Sequence, residues 1–128
     1  MRLEEFLTRV QDRGEYHSLE ETEHVSTAVL GVLASRITPE EAAGLAAQLP
    51  APLTEALHLE PGGPDPFDRE EFLSRVARQT GARPRTAEWD ASAVLSTVAD
   101  AASGRQVDHL LSQLPESYAD LFGRPTLR

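Results

Sequence analysis

Part of this chain is written twice. Glu4-Glu5-Phe6-Leu7-Thr8-Arg9-Val10 returns as Glu70-Glu71-Phe72-Leu73-Ser74-Arg75-Val76, 66 residues further on. Ala28-Val29-Leu30 returns as Ala93-Val94-Leu95, and Gln48-Leu49-Pro50 as Gln113-Leu114-Pro115, each 65 residues further on. Three blocks in the same order, slipping by one residue, mark an internal duplication. The expected organisation is a single domain over residues 1–128, built of two repeats at about 1–59 and 68–122. A linker at 60–67 joins them, and Pro61, Gly62, Gly63, Pro64 and Pro66 bar it from the interior of a helix or strand.

Inside each copy the apolar residues recur with a helical period. Leu3, Phe6, Leu7 and Val10 fall on one face, and so do Val25, Ala28, Val29, Val32 and Leu33. Ala91, Val94, Leu95, Val98, Ala99 and Ala102 repeat that stripe. The third segments match position by position, Ala42, Leu45, Ala46 and Leu49 against Val107, Leu110, Leu111 and Leu114. A shorter fourth piece pairs Leu53, Ala56 and Leu57 with Tyr118, Leu121 and Phe122. No stretch alternates with period two long enough for a strand. Ser18 with Glu21, Thr38 with Glu41 and Ser103 with Gln106 have the spacing of capping boxes. Asp68 is a further N-cap and Pro39 suits the first helical position. The expected fold is all-α, two tandem four-helix repeats with internal pseudo-symmetry. Its helices fall at about 2–13, 19–37, 39–49, 51–59, 68–80, 87–102, 104–114 and 115–122. A unit of about 60 residues has a marginal core, so the two should pack together.

Phe-Leu-x-Arg-Val, Ala-Val-Leu and Gln-Leu-Pro, with the closing Leu114-Pro115-x-x-Tyr118-x-x-Leu121-Phe122, resemble a bacterial family known as domain of unknown function 2267. The resemblance runs from Leu3 to Phe122 through both halves. Its motifs are mostly core and cap positions, so it speaks for the fold and supplies no catalytic or ligand residue.

Composition narrows the function. With no cysteine, disulfides, thiolate zinc sites and a cysteine nucleophile are excluded. A net charge of −9 opposes nucleic-acid binding, and aromatic residues for base stacking are few. No apolar run reaches the roughly 18 residues of a membrane span, and Met1-Arg2-Leu3 does not open a signal peptide. The expected place is the cytoplasm. All 12 basic residues are arginine and asparagine is absent, as in the output of a G+C-rich bacterial genome.

Catalytic motifs are missing. Gly62-Gly63 lies between prolines and precedes no strand, so it is no phosphate loop. No serine has a Gly-x-Ser-x-Gly setting. The paired glutamates Glu4-Glu5, Glu20-Glu21, Glu40-Glu41 and Glu70-Glu71 fall in first turns, where negative charge suits the helix dipole. Glu21-x-x-His24 has metal-ligand spacing, but such bundles need a second pair. The second copy offers Glu88-Trp89-Asp90 there, and Glu21 is already the partner of Ser18. His58 falls near a helix end, where positive charge is favourable, and His109 on the polar side of its stripe. No metal, cofactor or catalytic role is expected.

Charge is split unevenly. Residues 1–63 carry 4 arginines and 11 acids, residues 64–128 carry 8 arginines and 10 acids. Residues 69–85 hold five arginines against two glutamates. Arg75 and Arg78 lie off the apolar stripe of their helix, and Arg83-Pro84-Arg85 reads as a loop. Arg75, Arg78, Arg83 and Arg85 are therefore expected to form an exposed positive patch for an unknown protein partner. The first reading is a non-catalytic helical interaction module. The alternative is a small-ligand or metal-binding protein that uses the cleft between the repeats, with His24, Trp89 and Tyr118 as candidates.

Overall fold

The computed structural model describes residues 1–58, 65–82 and 84–124. Among them the chain is all-helical, with no strand. The order is α1 (Leu3–Gly14), α2 (Leu19–Arg36), α3 (Pro39–Ala46), a 3-10 segment (Leu53–His58), α4 (Arg69–Thr80), α5 (Pro84–Ala101), α6 (Gly104–Ser112) and a second 3-10 segment (Glu116–Phe122). Residues 59–64, which include most of the linker, lie outside the described residues, as do Arg83 and residues 125–128.

The helix starts are made by the side chains that the sequence offers for them. Ser18, Thr38, Asp68 and Ser103 each accept from the backbone N–H three residues on, at 2.9–3.1 Å. The return arms of the capping boxes take other courses. Glu21 accepts from His17 N–H, one residue before its cap. Glu41 and Gln106 turn from their own caps and meet between α3 and α6, where Gln106 Nε2 donates to Glu41 Oε1 at 3.3 Å. Glu41 is 5% exposed, and a carboxylate buried that far needs partners. His109 Nδ1 is the other. Gly44 makes the approach possible, since a Cβ there would lie 3.2 Å from Gln106 Oε1.

Five expected helices differ in type or boundary. The segments at 51–59 and 115–122 are 3-10 in form, and the third helices stop at Ala46 and Ser112. Proline is the common cause. Gln48, Leu49, Gln113 and Leu114 bond to carbonyls three residues back, which tightens the chain before Pro50 and Pro115. Leu53 and Tyr118 then bond back to the carbonyls of those prolines, again three residues away. The fifth helix starts at Pro84, not at 87, because proline is at ease in the first helical position. Arg85 thus stands on the first turn of α5, where a loop was expected.

The central helices are α2 and α5, which touch each other. Each carries an outer helix from the other half of the chain. α1 packs on α5 as well as on α2, and α4 packs on α2 as well as on α5. Phe6 and Phe72, aligned in the sequence repeat, are both completely buried. Near Phe72 the core gains an aromatic cluster. Tyr118 meets Phe72 edge-on at 5.5 Å, and Phe67 lies 6.3 Å from Phe72. Arg36, at the end of α2, is drawn into this cluster. Its Nε donates to the Phe67 carbonyl at 2.7 Å and its guanidinium lies over the Tyr118 ring. Tyr118 Oη donates to the same carbonyl at 2.8 Å. Burial pushes the Tyr118 hydroxyl pKa up.

Candidate functional site

Between α2 and α4 runs a groove of about 500 Å³. From α2 it takes His24, Thr27, Ala28, Gly31, Val32 and Ser35, and from α4 Arg75, Arg78 and Gln79. Thr27, Gly31 and Ser35 are spaced four apart, so one face of α2 presents small residues to it. Ala28, which the apolar stripe assigns to the core, is partly exposed and belongs to this lining. At Gly31 a Cβ would meet nothing within 4 Å. The floor is open there.

The arginines are placed by their ion pairs. Arg75 Nε donates to Glu71 at 2.8 Å and its terminal nitrogen to Asp65 at 3.2 Å. Its guanidinium lies 3.9 Å from the centre of the Phe67 ring, a cation–π distance. The expectation that Arg75 points away from the core is therefore corrected: it lies across a core aromatic. Arg78 reaches the same Glu71 oxygen at 3.3 Å and stays 65% exposed. Hydrogen bonds from Arg75 and then Arg78 hold the Glu71 carboxyl below the usual range. Arg69 is tied to Glu88 and Asp120. Arg85 is exposed on α5, and Arg83 lies outside the described residues. Among the described residues the groove brings Arg75 and Arg78 beside His24.

Of the three ligand candidates, His24 alone enters the groove. Tyr118 is completely buried in the aromatic cluster. Trp89 stands on α5, half exposed, and donates from Nε1 to the Gly14 carbonyl at 3.0 Å. Glu21, the other half of the metal-spacing pair, is engaged with His17 N–H. Among the described residues no group of three or more His, Asp or Glu is placed to hold a metal ion, and no helix is long and apolar enough to cross a membrane.

The seam between α1 and α5 is the counterpart of this groove in the sequence repeat, and it is clasped. Asp100 takes Arg13 at 2.6 Å and Arg9 at 3.2 Å. Arg13 also donates to Ser96 and Thr97, each at 3.1 Å. By the two offsets, Arg9 and Arg13 align with Arg75 and Gln79, and Ser96, Thr97 and Asp100 with Gly31, Val32 and Ser35. Trp89 aligns with His24. A reader of the sequence could have set these pairs side by side. What the sequence withheld is that α4 lies on α2, which turns the unmatched positions into a groove.

Taken together, the described residues form an all-helical fold with an open groove between two helices and a clasped seam elsewhere. The chain belongs to the DUF2267 family, described as an uncharacterized conserved protein, whose model matches residues 3–121. No curated protein matches it significantly.

Proposed function

We propose that the chain is a non-catalytic interaction module of two tandem four-helix repeats, which docks a partner protein in the groove between α2 and α4. The observation that carries this reading is the groove's lining. Small side chains on α2 let another backbone come close, and Arg75, Arg78 and His24 give its edge a direction. The carboxylates Glu21, Glu41, Glu71 and Asp90 are each held in hydrogen bonds or ion pairs, which supports a binding role over a catalytic one. The arginine-only, asparagine-free composition supports a bacterial host, and the lack of cysteine is compatible with the cytoplasm.

Gly31→Trp tests the docking reading. A Cβ at Gly31 would meet nothing within 4 Å, so the indole is directed into the groove, and helix propensity favours the change. Wild type and variant, shown by circular dichroism and melting temperature to be equally folded, are compared in pull-downs from the native host. Proteins captured by wild type and lost with Gly31→Trp are the expected result. Identical sets from both proteins would contradict it.

The groove's volume also favours a second reading, since about 500 Å³ falls in the range of small-ligand pockets. A metabolite library that raises the melting temperature of wild type but not of Gly31→Trp would support that reading instead.

A further inference from the structure

We infer that the groove's occupant is a short segment of a partner protein carrying one carboxylate, which pairs with Arg78. The inference rests on the docking reading above and adds the chemistry of the occupant.

The clasped seam shows what the groove lacks. Between α1 and α5 the carboxylate of Asp100 gathers two arginines. At the aligned position the groove has Ser35, whose Oγ donates to the Val32 carbonyl at 2.8 Å and leaves the cationic edge unserved. Arg75 is already matched by Glu71 and Asp65. Among the described residues Arg78 has a single longer contact, to a Glu71 oxygen that Arg75 holds more closely, and its side chain is 65% exposed. Arg78 aligns with Asp12 and so has no counterpart in the clasp. A carboxylate arriving from outside would give it a partner of its own, and such a charge-assisted hydrogen bond is stronger than a neutral one.

The remaining lining limits the rest of the segment. His24 and Ser35 are eleven residues apart on α2, about 16 Å at the helical rise, room for roughly five extended residues. Ala28, Gly31 and Val32 offer contact to small apolar side chains, and the other arginine of the lining, Arg75, is already matched by Asp65 and Glu71. A run of acids is disfavoured, because the chain carries −9 overall and repels dense negative charge at long range. One carboxylate among small apolar residues satisfies both conditions.

The test uses random heptapeptides displayed on phage, depleted on Gly31→Trp and then selected on wild type. The expected pool shares a single Asp or Glu flanked by Ala, Val or Leu. A synthetic peptide from that pool should bind Arg78→Glu at least about tenfold more weakly and Arg78→Lys within a few-fold, since a carboxylate pair needs the charge above all. Arg105→Glu, on the exposed face of α6, should bind as wild type does. A pool without acidic residues, or peptides that ignore Arg78→Glu, would overturn the inference and leave the docking reading standing. No enrichment after depletion would overturn both.

Discussion

The α1–α5 seam and the α2–α4 groove bring together helices that align in the sequence repeat, yet one is clasped and the other open. A handful of positions separate them. Where the seam has Arg13, Ser96, Thr97 and Asp100, the groove has Gln79, Gly31, Val32 and Ser35. The seam thus spends its polar groups on itself. The groove keeps Arg78 and His24 at an edge with no such clasp, and Arg75 has been taken over by Asp65 at the end of the linker. The lesson is that helices sharing a sequence motif can keep buried apolar stripes on both sides while surface pairs decide which side stays accessible.

The largest effects should come from what the halves share. Phe6→Ala and Phe72→Ala each remove a completely buried ring, and each should cost about 3–5 kcal/mol in urea unfolding. Phe72 also contacts Tyr118 and Phe67, so Phe72→Ala should be the costlier of the two. If either change costs less than about 1 kcal/mol, the equivalence of the cores fails.

Next in size is a change unique to the groove. Gly31→Ala should stabilise the chain by about 1 kcal/mol, because alanine is the better helix former and its methyl meets nothing. Thermal unfolding checks the sign. A loss of stability would mean that the floor of the groove is already occupied.

Titration should separate the two sides by sign, with a smaller effect. Asp90, which accepts from Tyr16 Oη at 2.5 Å, stands on α5 and is nearly buried, and desolvation raises its pKa. Its contribution to stability is therefore present at low pH and lost as pH rises through the raised value. Glu71 is the opposite case. Its lowered pKa makes a contribution present above the ordinary carboxylate range and lost as pH falls. In melting temperatures taken across the carboxylate range, Asp90→Asn should gain on wild type as pH rises. Glu71→Gln should close its deficit as pH falls. Curves parallel to wild type for both variants would contradict these assignments.

Much of the fold was legible from residues alone. The cap side chains and the 3.6-residue stripes placed α1, α2 and α4 to within about a residue, because those signals are local. The 3-10 segments were not legible as such. A stripe such as Leu53, Ala56 and Leu57 fits either helix type, and the choice falls to prolines that remove donors and tighten the turn. Of the site, the arginine cluster was visible but its geometry was not. Arg75 lies across Phe67 because the end of the linker folds back beneath α4, a contact between segments that no period records. The small face of α2 was hidden for the same reason. Gly31 and Ser35 mean little until α4 is known to lie beside them.

The claim that the groove is the unclasped counterpart of the seam can be tested by installing the clasp. Ser35→Asp and Gln79→Arg place an acid and an arginine at the positions aligned with Asp100 and Arg13. A double-mutant cycle in urea measures the coupling between them. The account predicts a favourable coupling of about 0.5–1 kcal/mol, the range of well-placed surface pairs, matching a parallel cycle on Arg13 and Asp100. A coupling of zero or of unfavourable sign in the groove, beside a favourable one in the seam, would show that the two sites are not counterparts.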